Sequence, residues 1–299
     1  MHPVLRAPIR FVARSGEPVH APVVLATIGA IHTRLVLDTG SDVHLVTREL
    51  AEAAGLALTD GDVGTDHAGT ELDSWLVGDV PLTLDESTPS AAEIDLHDVV
   101  AIPAPAAFIE RGIGGILSPQ RLHRSAFAII DEVDDELVLL DAGAEGVRRW
   151  VLDRHPGLAV LVLERAPGDA RPIVDAAIEP HAPVPVLVNS GGRHTEFEPA
   201  TVPGLAGGSP ERIGVAVSGA DVLGAEAGSQ VLALGGARVA VPSLKLRTGM
   251  DDPPGMLGQD LIRGTVVAVG PDPATPVLWG VAQLQSQPVG AGGRHPHAR

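Results

Sequence analysis

Short apolar runs broken by glycine, proline and acidic residues dominate the chain, a pattern of strands more than of helices. Residues 22–28 (Pro-Val-Val-Leu-Ala-Thr-Ile) and 32–37 (His-Thr-Arg-Leu-Val-Leu) are two such runs, joined at Gly29-Ala30. They predict a hairpin that delivers Asp38 at its end. Thr47 is placed to cap a helix over residues 48–54, with Gly55 as its stop. Further strands are expected at 75–77, 80–84 and 136–140, and a helix over 145–152 in which Trp150 anchors the connection between two halves. With 35 glycines and 26 prolines to punctuate these runs, the pattern predicts an all-β fold. No run reaches the 18 or more apolar residues of a membrane span.

Laid over each other, the two halves repeat. The first holds Arg34-Leu35-Val36-Leu37-Asp38-Thr39-Gly40-Ser41, and the second Val184-Pro185-Val186-Leu187-Val188-Asn189-Ser190-Gly191-Gly192. Asp66-His67-Ala68-Gly69-Thr70 begins 28 residues after Asp38, and Ser218-Gly219-Ala220-Asp221 begins 29 after Asn189. Each reads as a hairpin tip. Farther on, residues 114–122 (Gly-Gly-Ile-Leu-Ser-Pro-Gln-Arg-Leu) match 254–262 (Pro-Gly-Met-Leu-Gly-Gln-Asp-Leu-Ile), a glycine and two apolar residues leading into a short helix.

This order resembles the aspartic proteases of the pepsin and retropepsin clan, over roughly residues 20–140 and 172–270. The resemblance implies two similar β-barrel-like lobes with a few short helices and a cleft between them. The expected divisions are a first lobe at 1–145, a helix and strand connection at 146–171, a second lobe at 172–284 and a disordered tail at 285–299. By the same resemblance Asp38 and the residue at 189 form the catalytic pair. Two facing carboxyls share one proton and hold a water that attacks the peptide carbonyl. Thr39 and Ser190 would lock the two loops together, Gly40 and Gly191 allow the tight backbone, and Ser41 would hydrogen-bond the outer oxygen of Asp38. Residues 66–70 (Asp66, His67, Ala68, Gly69, Thr70) and the Ser218-Gly219 tip would be flaps over a bound peptide. Trp75 could pack over the cleft, although a core position suits it better. Pepsin-like enzymes normally carry a flap tyrosine, and this chain has none. The short, glycine-containing tips point to a fused retropepsin-like enzyme. Ser118 departs from the glycine at 258 in the loop behind the site.

Asn189, the only asparagine in the chain, breaks this scheme. An amide cannot share or relay the proton, and without a like-charged neighbour Asp38 should ionise near neutral pH. Three readings follow: an inactivated form of a working aspartic peptidase, a natural pseudoprotease that binds peptides, or a non-hydrolytic enzyme with Asp38 as lone acid or base. In each, the chain as it stands should cleave peptides extremely slowly or not at all.

Composition narrows the partners. A net charge of −17, with Lys245 the single lysine, argues against nucleic acid and anionic membrane. It also suggests a cleft that tolerates basic or neutral peptides better than acidic ones. Without cysteine there are no disulfides and no thiolate metal sites. The scheme calls for no cofactor and no metal. His44 and His194 follow the two turns but read as ordinary strand or loop histidines, residues 95–98 as a solvated acidic loop, and 112–115 as structural glycines short of a dinucleotide fingerprint. A start without a basic segment and apolar stretch suggests a cytoplasmic protein, and two lobes in one chain suggest a monomer.

Overall fold

The computed structural model describes residues 3–66, 68–84, 92–250 and 252–282. It is mostly β, with sheets that curve into barrel and half-barrel forms. The expected first hairpin is formed by strands Pro18–Ile28 and Ile31–Leu37, with Val23 opposite Val36. Alternation divides its faces. Together with the strand Leu5–Val12, which pairs antiparallel with Pro18–Ile28, the hairpin sends Ile9, Val24, Leu35 and Leu37 into the main core, while Arg10, Val23 and Val36 lie on the other face. On that second face Ala21, Val23, Val36, Ile113 and Ile116 form a separate apolar cluster.

After Leu37 the chain turns through Asp38 to Ser41 and continues as the strand His44–Thr47. The strand Ile113–Leu117 inserts between the two legs, parallel to Ile31–Leu37 and antiparallel to His44–Thr47. The second half repeats this arrangement. Gly255–Leu257 lies parallel to Val184–Val188 and antiparallel to Glu196–Phe197. In both halves the inserted strand accepts the hydrogen bond that ends the first leg, from the Asp38 amide to the Leu117 carbonyl and from the Asn189 amide to the Leu257 carbonyl, each 2.9 Å. The internal repeat of the sequence is therefore also a repeat of strand order.

The halves are joined by edges. Phe127–Asp131 pairs with Glu136–Leu140 on one side and with Val266–Val269 on the other, and the sheet continues through Val277–Ala282 to Leu158–Leu163. The helix Ala144–Arg154 covers this junction. It buries Val147 and Val151 against Phe127, Ile129, Val138, Leu140, Val266 and Leu278, with Trp150 packed at the edge of the same cluster. Apolar residues spaced four apart on an 11-residue helix suffice for one such contact stripe.

Local signals hold where backbone chemistry decides. Thr47 caps the helix Arg48–Ala53 by accepting from the Leu50 amide at 3.2 Å, and Gly55 follows its end. Two expectations change. The runs at 75–77 and 80–84 are one strand, Trp75–Leu84, with its register shifted around Gly78. Residues 95–98 belong to the strand Ala92–Ile102, not to a loop. Leu96 and Val99 are fully buried there and Asp95 and Asp98 lie toward solvent, the alternation being broken at Asp98, whose φ is +55° and where the pairing with Trp75–Leu84 shifts register. The segment 285–299 and His67 lie outside the described residues. Among the described residues no helix is long and apolar enough to cross a membrane.

Candidate active site

The turns after Leu37 and Val188 meet face to face, held by four hydrogen bonds that run both ways. The Thr39 hydroxyl donates to the Val188 carbonyl (2.5 Å) and accepts from the Ser190 amide (3.0 Å). Reciprocally, the Ser190 hydroxyl donates to the Leu37 carbonyl (2.8 Å) and accepts from the Thr39 amide (3.0 Å). Both side chains are fully buried. The expected locking pair is present, and each hydroxyl uses its donor and an acceptor lone pair.

Asp38 and Asn189 are brought together at this junction. A methyl group placed on Gly191 would lie 2.3 Å from Cγ of Asp38, and one on Gly40 would lie 2.8 Å from Cγ of Asn189. Each polar group thus rests on the glycine of the opposite turn, a closeness that no other residue permits. Inside each turn an oxygen is fixed by backbone donors. Oδ1 of Asp38 accepts from the Gly40 amide at 2.8 Å, and Oδ1 of Asn189 accepts from the amides of Gly191 (2.9 Å) and Gly192 (3.0 Å). The remaining Nδ2 of Asn189 donates, among the described residues, only to Sδ of Met256, at 3.0 Å, a weak acceptor. The pocket at 189 therefore satisfies an oxygen well and an amide nitrogen poorly.

Burial pushes the Asp38 carboxyl up to about 6, and amide donors from Gly40 and Gly191 offset part of that rise. At neutral pH it is mostly ionised.

Ser41 does not reach the outer oxygen of Asp38. Its hydroxyl donates to the Val43 carbonyl at 2.7 Å, because the turn after Gly40 carries the side chain toward its own backbone. Ser118 is buried and ties the same segment, donating to the Ser41 carbonyl at 2.8 Å. His44 is structural. Its Nδ1 accepts from the Ser118 amide (3.2 Å), its Nε2 donates to the Arg121 carbonyl (3.3 Å), and burial pulls its pKa down to about 4. In the second half Thr195 takes this place, accepting from the Gly258 amide at 3.3 Å.

Several site residues carry no signal in a single motif. Gln120 donates from Nε2 to the carbonyls of Ser41 (2.7 Å) and Thr39 (3.3 Å), and Gln259 donates to the Ser190 carbonyl (2.9 Å). Gln259 also donates to Glu132 at 2.9 Å, and burial raises that carboxyl to about 7. A glutamine thus supports each turn from behind, from positions one residue apart in the two repeats, so laying the repeats over each other does not pair them. His20, from the strand Pro18–Ile28, donates through Nε2 to the Gly191 carbonyl at 3.1 Å. Although its ring keeps an exposed face, the surrounding protein removes enough water to lower its pKa, and nearby Arg193 and Arg111 add to the effect while the Gly191 carbonyl opposes it.

Both expected tips are hairpins, Gly64–Thr65 with Glu71–Leu72 and Glu211–Val215 with Asp221–Glu226. They touch: Oδ2 of Asp66 accepts from the Ser218 amide at 2.9 Å. Oδ1 of Asp66 also orders its own turn by accepting from the amides of Ala68 (2.9 Å) and Thr70 (3.0 Å). Val217, beside Ser218, packs on the apolar cluster of Val23, Val36 and Ile116, the face on which Asp38 emerges. Gly219 lies at the turn itself, donating to the Ala216 carbonyl. Trp75 stands elsewhere. It packs on the main core with the Arg48 guanidinium 4.5 Å from its ring centre.

A group formed by Asp131, Asp134 and His155 has metal-ligand atoms within 4.8 Å of one another. Arg154 compensates it, reaching Asp134 at 2.6 Å and Asp131 at 3.3 Å, so the cluster is a charge-paired brace on the helix Ala144–Arg154.

No model of a known protein family and no curated protein matches the chain.

Proposed function

We propose that the chain is a two-lobed, retropepsin-like aspartic peptidase whose second carboxyl is replaced by Asn189, so that it binds a peptide between the flap tips and the dyad without hydrolysing it. The observation that carries this reading is the reciprocal seating of Asp38 on Gly191 and Asn189 on Gly40 within one hydrogen-bonded grip. Chemistry that needs two acids at one atom needs such a seat. The pocket at 189 adds to it: two backbone amides aim at one oxygen of the side chain, while among the described residues its nitrogen meets only a thioether. A carboxylate would keep both amide bonds to its first oxygen and give up only the weak contact to Met256, whereas an amide leaves donor capacity unused.

With aspartate at 189, one carboxylate would take a proton from water as its oxygen attacks the peptide carbonyl, and the other, protonated, would give its proton to the carbonyl oxygen. Collapse of the diol would then break the C–N bond, with the proton returned to the leaving nitrogen. Asp38 alone takes up a proton from water but leaves the carbonyl oxygen without its acid. The apolar floor of Val23, Val36 and Ile116 under Val217 suits an aliphatic side chain next to the reacting bond.

The test is Asn189→Asp incubated with a mixed peptide library from pH 3 to 7.5 and read by mass spectrometry. Cleavage is expected in that variant and not in Asp38→Asn/Asn189→Asp. Intact peptides throughout, with the variant folded, would refute the peptidase reading.

A further inference from the structure

The strongly acidic chain carries an uncompensated positive cluster beside its cleft. Arg10 lies opposite Val23, which lies opposite Val36, so Arg10 shares the face of the cleft floor. Arg34, two residues before Val36 and opposite Ile113, points to that same face. The Arg14 amide donates to the Arg111 carbonyl at 2.9 Å, and the Arg14 side chain lies over Gly112, its Cβ 2.8 Å from where a Cβ would stand there. Arg10, Arg14 and Arg34 therefore lie near one another at the Ile113 end of the Ile113–Leu117 strand, and Arg111 adjoins them at the end of the helix Ala106–Arg111, where its Nη1 donates to the Ala107 carbonyl at 3.2 Å.

Their charges lack carboxylate partners among the described residues. Most other arginines here are paired with acids, as Arg154 is with Asp134 and Glu136, Arg171 with Asp169 and Arg247 with Glu196. Among the described residues, Arg10, Arg14, Arg34 and Arg111 have no carboxylate within 4.0 Å. Nε of Arg34 is moreover buried with no acceptor. A buried donor without a partner is costly to keep, and so is a group of like charges. Burial first, and then the charges of Arg14 and Arg10, hold the Arg34 guanidinium below its ordinary pKa.

We infer that Arg10, Arg14, Arg34 and Arg111 form a carboxylate-binding subsite at this end of the cleft, which selects peptides carrying an acidic group to one side of the bond placed at the dyad. The inference rests on the peptide-cleft reading and reverses the preference expected from net charge, because a local cluster outweighs distant charges screened beyond about 8–10 Å. The carboxylate could belong to a glutamate or aspartate side chain or to the peptide's own C-terminus. Guanidinium groups bind both by the same forked hydrogen bonds.

The test uses the chain as it stands, Asn189 included, so that binding is read without cleavage. Fluorescent ten-residue peptides with a central Leu-Val, capped at both ends, would carry a single glutamate at each position in turn, with glutamine and lysine sets alongside. A glutamine peptide with a free C-terminus forms a further arm. Glutamate at one or two positions on one side should tighten Kd about tenfold over glutamine at low salt, or the free C-terminus should do so. In Arg14→Gln/Arg111→Gln, both exposed positions, that advantage should fall to about twofold or less, while glutamine peptides bind as before. Arg14→Glu/Arg111→Glu should turn the preference toward lysine at the same position, a gain that misfolding cannot produce. Equal binding of glutamate and lysine peptides, or a glutamate advantage that survives both variants, would overturn the subsite alone. Absence of binding by every peptide would overturn the peptide-cleft reading and the subsite with it.

Discussion

Replacing Thr39 with valine should reveal how much the two halves depend on the grip between their turns. Valine keeps the volume of threonine but has no hydroxyl, so the Val188 carbonyl and the Ser190 amide, bonded at 2.5 and 3.0 Å, both lose their partner. Thr39 has no exposed surface, and water cannot take the place of the hydroxyl without disrupting the turn. Each buried group left without a hydrogen bond costs about 1–3 kcal/mol, which for the two places the loss at about 2–6 kcal/mol. Thr39→Ser keeps the hydroxyl and should cost less than about 1.5 kcal/mol, the loss of one methyl group. The assay is urea unfolding followed by tryptophan fluorescence, since Trp75 lies on the main core while Trp150 and Trp279 lie near the junction of the halves. The double variant Thr39→Val/Ser190→Ala should lose measurably less than the sum of the two single variants, because the bonds form one network. A Thr39→Val protein within about 0.5 kcal/mol of the original would refute the claim that this grip joins the halves.

Further outcomes follow from the same geometry. His44 is held neutral with a pKa of about 4, below its ordinary 6.5, so its contribution is complete above pH 6.5 and is lost as pH falls toward 4. The gap corresponds to about 3 kcal/mol, and a flatter stability profile over that range in His44→Gln, by urea titration at several pH values, would confirm the role. Gly191→Ala should fail to seat Asp38, whose Cγ would lie 2.3 Å from the new methyl, with a loss of at least about 2 kcal/mol by the same titration. Asp66→Ala removes the acceptor of the Ser218, Ala68 and Thr70 amides, so hydrogen exchange at those three positions should quicken by about tenfold, with the core unchanged.

The repeat was legible because it is local. An apolar strand, an acid or amide, a hydroxyl residue and a glycine form a contiguous string, and Thr39 and Ser190 took the roles that their matching positions implied. What the string could not supply was the direction of side chains set by contacts distant in sequence. Ser41 turns to Val43, and Trp75 lies under Arg48, because the path of the backbone after each motif decides the outcome. The supporting Gln120, Gln259 and Glu132 act across 69–127 residues of sequence, so no spacing announces them. Residues 95–98 read as a loop because three of the four are polar, although the buried Leu96 is enough to anchor a strand half covered by solvent, with the irregularity at Asp98 absorbed as a register shift. Net charge hid the arginine cluster for a related reason: a sum over the chain says nothing of the field at one end of a cleft.

The central claim is that Asp38 and position 189 form one titrating unit, and carbon-13 NMR of the Asp38 carboxyl tests it without any substrate. In the chain as it stands Asp38 should show a single titration near pH 6. In Asn189→Asp the two carboxyls should titrate as a coupled pair, in two steps separated by at least about two pH units, one below and one above that value. An Asp38 titration that stays single and moves by less than about 0.3 pH units on introducing the second acid would show that the two positions do not share a site, and the account would fail.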